Sequence, residues 1–486
     1  MKKIVELIIL LFVMIISPLA AQDTAPVVKS IEEQRLEIMR FGTETEIAKL
    51  IQTIKDEKVT YLDNELIEIA KNTRNRNILS GIFALFGETR KAGLEERALR
   101  AIRERDDEAN ETVFNAVDYL GRVGAKEAAD DLIELINSGE NRFLNNAIRA
   151  LGRAVNINAG NTSGEDAAPS EEADGALQDL SDQDLSDDIA LFLLDYYENR
   201  SPSDENRREI IVALGETGSK ESVAFLSELV KNNDERAVLK MVALDAMSKI
   251  GDPAAIDAII EAVSSSDPNV RASAIAALGP FPGEAADDAI LEGFRDSYYR
   301  TRIGAAQAAG KRKLERAIPF LRFRAERDEV AAVKDEAIKA LGAINNSETL
   351  GILDTFFSER KNSDRVRLVA ADMLIQNHAD TYSTKLIIEM EEAKNKRMTP
   401  LYNGFVRILT TAKSKTFEDF TRRLIAGGGV IEKSLALDLI LNNEFRSLAD
   451  DIRSLLDDKK NPVSITRKAT TTLEKLGLEV ETPKEN

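Results

Sequence analysis

Seven glycines, at Leu120-Gly121, Leu151-Gly152, Leu214-Gly215, Ile250-Gly251, Leu278-Gly279, Ala309-Gly310 and Leu341-Gly342, recur at intervals of 31, 63, 36, 28, 31 and 32 residues. A period near ~30 closing on a small-residue helix end marks a stack of helix pairs. No single pair of this kind can bury its apolar face, so each leans on its neighbours. The clearest copy starts at Asp267-Pro268-Asn269-Val270-Arg271 and runs through Ala272, Ala274 and Ile275 to Leu278-Gly279. Its Asp is an N-cap, its Pro sits at the first helical position and its Gly lies just past the end. The partner helix follows Gly251-Asp252-Pro253, with Ile256, Ile259, Ile260 and Val263 on one face at helical spacing. Alanines on the first helix let neighbouring axes approach toward the ~8 Å end of the packing range, so few aromatic residues are needed.

The interval of 63 is twice the others. Between Asn156 and Asp188 the chain carries ten acidic and no basic residues among Gly, Ala, Ser and Asn. Removing these 33 residues restores one ordinary period, so the segment reads as an insertion in the turn of one repeat, with the second helix resuming at Ile189. Low hydrophobicity and one sign of charge predict disorder there. Its paired Asp179-Leu180-Ser181-Asp182 and Asp184-Leu185-Ser186-Asp187 lack EF-hand spacing and a turn glycine, and are read as acids ahead of a helix N-terminus. The organisation expected is 1–21 a signal peptide, 22–113 divergent helical repeats, 114–155 repeats, 156–188 the acidic insertion, 189–375 repeats, and 376–486 divergent repeats ending in a polar cap. Ser30-x-x-Glu33 and Thr43-x-x-Glu46 are capping boxes in the N-terminal part.

The signal segment rests on Lys2 and Lys3, the apolar run Leu7–Ile16, and the small residues Ser17-Pro18-Leu19-Ala20-Ala21. Ten apolar residues fall well short of the ~20 a membrane-spanning helix needs. The expected product is exported, periplasmic or extracellular in a bacterium, with no membrane span in the mature chain.

The segments Asp267–Gly279 and Ile250-Gly251-Asp252-Pro253 resemble the short HEAT-like repeats of the phycobilisome-lyase type, over residues 114 to 375. The resemblance implies an all-α fold, a right-handed α–α superhelix of helix pairs. It also implies a concave surface of second helices that holds an extended protein partner. It transfers an architecture and not an activity.

Composition narrows the chemistry. With no Cys and one His, disulfides, thiolate metal sites, cysteine nucleophiles and multi-histidine metal sites are excluded. The formal charge of −19 disfavours a nucleic-acid partner. His378 follows a helix end and reads as a capping or surface group. No catalytic, metal or cofactor site is expected. The reading is an exported scaffold that binds another protein, with a small-ligand carrier or lyase-like enzyme, or a structural component of the envelope, as alternatives.

Two sets of residues stand out. Eight positions before each landmark is a cation: Arg207, Arg271, Arg302, Lys334, and Arg367, where Ile375 replaces the glycine. Five cations at one repeat position are best explained by what each repeat needs, a row bonding capping acids or carbonyls of the adjoining unit. Tyr298, Tyr299 and Arg300, at a helix start, form the candidate protein contact, since tyrosine and arginine are enriched at binding hot spots. Tyr196-Tyr197 ends an apolar helix and is read as core.

Overall fold

Capping chemistry sets the helix starts. The structure, a computed structural model, describes residues 30–57, 59–155, 175–458 and 460–480, without the side chains of 175–182. Ser30 accepts from the Glu33 amide while Glu33 returns to the Ser30 amide. Thr43 and Glu46 repeat that exchange, and Asp267 accepts from the amides of Asn269 and Val270. Every regular element among the described residues is an α- or 3-10 helix. The expected signal peptide, 1–21, and residues 156–174 of the acidic insertion lie outside the described residues.

The chain divides into two compact units, 1–154 and 155–486. A boundary therefore falls at the start of the segment that the spacing treats as an insertion within one repeat. In the first unit the first helices Arg76–Thr89, Asn110–Val123 and Asn141–Ala154 pack side by side, with Glu95–Arg103 and Ala129–Asn137 as second helices. In the second unit the first helices include Asp204–Thr217, Ala237–Ile250, Pro268–Ala277, Tyr299–Lys311 and Ala331–Ile344. Their second helices include Ser222–Lys231, Ile256–Ala262, Glu284–Gly293, Ile318–Arg327 and Ser347–Ser358.

Neighbouring first helices touch backbone to backbone, as the small residues predict. A Cβ on Gly215 would lie 2.7 Å from Ala246 Cα, and one on Gly310 3.0 Å from Ala340 Cα. Such contact needs glycine on one helix facing alanine on the next. Gly251 breaks this rule. It ends its helix in the left-handed region, with φ 71°, and its Cβ would meet nothing. The packing position of that helix is Ser248, which lies 33 residues after Gly215 and 31 before Gly279. The uneven intervals of 36 and 28 come from counting a capping glycine as a packing one.

Two further differences concern boundaries. The helix expected to resume at Ile189 already spans Gly175–Asn199. The end of the expected insertion is packed: Ser186 is buried and donates to the Thr217 carbonyl at 2.7 Å, and Asp187 accepts from Ser219. Residues Asp364–Asn395 form two helices broken at His378, whose φ of −144° and ψ of 50° are not helical. Its ring bonds Asn345 Oδ1 at 2.8 Å, at the end of the first of the two helices.

Candidate functional site

Each of the five cations in the row is the fourth residue of a first helix, just beyond the turn that enters it. Arg271 donates through Nε and one Nη to Asp296 at 2.9 and 3.2 Å, and through the other Nη to the carbonyls of Ser265 and Ser266. Arg302 repeats the pattern one unit on, with Asp328 at 2.8 and 2.9 Å and the carbonyls of Asp296 and Ser297. Each guanidinium therefore joins the turn before its own helix to the turn before the next. Asp296 serves two rungs, one by its carboxylate and one by its carbonyl. The same carboxylates also brace the turns they belong to, Asp296 accepting from the Tyr298 amide and Asp328 from the Val330 amide.

The other members vary the theme. Arg207 pairs with Glu235, donates to Tyr197 Oη at 2.7 Å and stacks over that ring. Lys334, with one point charge, reaches the Glu326 carbonyl at 3.0 Å. Arg367 is buried, bonds the Phe357 carbonyl and pairs with Glu389 at 2.6 Å. All five are engaged within the chain. Two rungs escape the sequence landmark: Lys433, paired with Asn461 and Asp458, and Lys240, eight residues before Ser248.

Electrostatics follow the geometry. Burial pushes the Asp328 carboxyl up, but hydrogen bonds from Arg302 and the Val330 amide outweigh it and hold the group below the usual carboxylate range. Asp296 is depressed on the same balance, with Arg271 as the chief opposing partner.

The Tyr298, Tyr299 and Arg300 trio lies at the start of helix Tyr299–Lys311. Tyr298 is half-buried and donates to Asn269 Oδ1 at 2.8 Å, so its hydroxyl ties two units together. Tyr299 packs edge-on against it, with ring centres 5.4 Å apart. Arg300 is exposed and reaches the Tyr299 hydroxyl at 3.2 Å. Tyr196 and Tyr197 are half-buried, Tyr197 lying edge-on against Phe225.

A feature that sequence reasoning missed lies on helix Ile318–Arg327. Its buried side is Ile318, Leu321 and Ala325. Phe323 points away from these and is 51% exposed, with the guanidinium groups of Arg324 and Arg327 at 5.4 and 5.9 Å from its ring centre. The signal was present: at 100° per residue, position 323 lies about 200° from Leu321. Ile388 and Leu191, 56% and 50% exposed, also lie on second helices or their equivalent. The other large exposed apolar residues of the second unit, Val238, Met398, Val430, Ile431 and Val463, sit at or just before first-helix starts. Among the described residues, no cluster of three or more His, Asp or Glu could hold a metal ion, and no helix is long and apolar enough to cross a membrane.

Repeated first helices in backbone contact, second helices flanking them, and rungs of cation and acid at several of the turns define a HEAT-type α-solenoid. The chain matches the family described as Spirochaete HEAT repeat protein over residues 39–472, and belongs to it. The match extends the resemblance well beyond residues 114 to 375, to 39 on one side and 472 on the other. Curated proteins include no match to it. Among solved structures it is similar to the karyopherin Kap121p bound to the SUMO protease Ulp1p, at 9% identity and a TM-score of 0.38, covering 92% of this chain and 54% of that one. It is also similar to Kap95p crystallised with RanGDP, at 11% identity and a TM-score of 0.40, covering 91% and 66%. An engineered protein matches at 14% identity and a TM-score of 0.31, covering 89% and 98%. The chain spans about half the length of the Kap121p chains it matches.

Proposed function

We propose that this chain is a non-catalytic scaffold that acts outside the cytoplasm and binds another protein along the outward side of its second helices. The observation that carries the reading is where exposed apolar side chains lie in the second unit. They occupy second helices and the turns that enter first helices, and leave the middle of the first helices polar on the outside. A half-exposed phenylalanine between two arginines forfeits burial in the free protein, and arginine with aromatic residues is the composition enriched at interface cores. Phe323 is the centre of the proposed contact, and Tyr299 and Arg300 belong to its rim. Export is supported by the charged, apolar and small-residue order of the first 21 residues.

The test places a photo-crosslinking amino acid at position 323, and separately at Lys339, an exposed residue of a first helix, in the cell that makes the protein. A discrete crosslinked partner at 323 and none at 339 is expected. Equal products at both positions, or none at 323, would refute the proposal.

A further inference from the structure

Buried residues mark a common register in the second helices of the second unit. Leu193, Leu226, Ile259, Ile290 and Leu321 are each fully buried, and the residue two places on is exposed in every case. In the first four helices that residue is acidic: Asp195, Glu228, Glu261 and Glu292. In the next three it is uncharged: Phe323, then Thr355 two beyond buried Leu353, then Ile388 two beyond buried Leu386. One position of the repeat therefore passes from acidic to apolar along consecutive helices.

The surroundings change with it. The stretches 189–199, 222–231, 256–262 and 284–293 carry nine acidic residues and one basic. Asp287 and Asp288 among them are taken by Arg312 and Arg316. The acids of the row are held more loosely. Glu261 lies 3.9 Å from Lys231 and Glu292 2.6 Å from Arg295, both pairs open to water, and Glu228 makes no ion pair among the described residues. Exposed pairs of this kind contribute little and are readily exchanged. Helix Ile318–Arg327 reverses the sign, with three arginines against one glutamate.

Half-buried Leu194, Ile260 and Leu291 sit one residue before three of the four acids, so these carboxylates border apolar surface. A lysine or arginine whose head meets such a carboxylate lays its methylene stem on that surface. Neighbouring helix axes stand ~8–10 Å apart, too far for carboxylates on successive helices to share one metal ion, whose oxygen ligands lie within ~2.6 Å. About three residues of extended chain span the same step.

We infer that the outward face of the second helices from Asp195 to Ile388 docks an extended protein segment with one basic and one apolar half. Its cations, about three residues apart, meet Asp195, Glu228, Glu261 and Glu292, and its apolar half covers Phe323 and Ile388. The arginines around Phe323 repel a cation there, which sets where the basic half ends. The chain's formal charge of −19 draws a basic segment in at long range and opposes nucleic acid. The inference rests on the protein-binding reading given above and adds the chemistry of the bound segment.

The experiment uses purified full-length protein and two fluorescein-labelled peptides, (Lys-Ser-Gly)4-Phe and its reversed sequence, which cover both chain directions, read by anisotropy. One of the two should bind. The double variant E261Q/E292Q and the single variant F323S should each weaken binding about tenfold. The control E205Q/D245N makes the same change of charge on exposed positions of first helices and should leave binding unchanged. Spermidine at equal concentration should not displace the peptide, and glutamate in place of lysine in the peptide should abolish binding. No binding of either peptide, wild-type binding by E261Q/E292Q or by F323S, an equal loss in the control, displacement by spermidine, or binding of the glutamate peptide would each overturn the inference. Failure here with crosslinking at position 323 intact removes this chemistry alone. Absence of crosslinking at 323 removes the wider reading whatever the peptides do.

Discussion

Asp328 is the rung acid whose loss has the largest calculable effect. Its side chain is fully buried, takes two hydrogen bonds from Arg302 and one of 3.3 Å from Arg324, and accepts from the Val330 amide at 3.0 Å. Removing one partner of a buried pair costs about 3–5 kcal/mol, because the other charge is left uncompensated. Arg302 keeps two carbonyl acceptors, at Asp296 and Ser297, which places Asp328→Ala toward the low end, about 3 kcal/mol. Asp328→Asn retains an acceptor for the Val330 amide and should cost about 1 kcal/mol less than the alanine variant. Long repeat arrays need not unfold in two states, so amide hydrogen exchange is the better assay. Protection of helices Tyr299–Lys311 and Ala331–Ile344 should fall on the order of 100-fold in Asp328→Ala. Protection of Asp204–Thr217 should not change, because a rung couples only adjacent units. If both variants retained wild-type protection in the adjacent helices, the rungs would not hold the stack together.

The depressed carboxyls of Asp296 and Asp328 contribute stability that is fully present above the unfolded carboxylate value of about 3.9 and is lost as pH falls through their lower folded values. The melting-temperature gap between wild type and Asp328→Asn should therefore be constant from neutrality to about pH 4 and shrink below it; a gap still undiminished at strongly acid pH would contradict this. Gly215→Ala should cost about 1–3 kcal/mol, since its Cβ would press on Ala246, whereas Gly351→Ala, with open space around its Cβ in a helix, should gain about 0.5–1 kcal/mol. Denaturant unfolding of the two variants checks the contrast. Tyr119→Phe removes the hydroxyl that accepts from the buried Leu94 amide at 3.1 Å and donates to Glu95, and should cost about 1–3 kcal/mol in the first unit, read by exchange of the helix Glu95–Arg103 amides.

Much of this architecture is legible in the sequence because its signals are local. Caps at Ser30, Thr43, Asp252 and Asp267 sit where the side chain itself bonds the first amides. The glycines at 121, 215 and 310 mark backbone contacts that a Cβ would block, and those at 279 and 342 make room for the side chains of Lys311 and Met373. What escaped depends on which of two local roles a residue plays. Gly251 is a capping glycine three residues beyond the packing position, and a sequence shows the two alike. That shift hid Lys240 from the row, and the loss of glycine in helix Val430–Asn443 hid Lys433. The start of helix Gly175–Asn199 escaped because its first turns are acidic and only residues from 189 onward carry the apolar stripe. The exposure of Phe323 was concealed by Phe320, three residues earlier and half-buried, which makes the helix read as apolar on a broad face.

The rungs share a register but not a chemistry. Where a turn carries its own acid, as at Glu235, Asp296 and Asp328, the cation is consumed inside the stack and the position is structural. Lys334 has no such acid and donates to the Glu326 carbonyl, so it ties its own helix to the second helix before it and adds no ion pair toward the next turn. Arg367 draws its acid, Glu389, from a helix and not from a turn. Acid sensitivity is accordingly local: protonating Asp296 and Asp328 loosens the contacts that flank helix Tyr299–Lys311, whereas the bond of Lys334 to a carbonyl is untouched by the same change of pH.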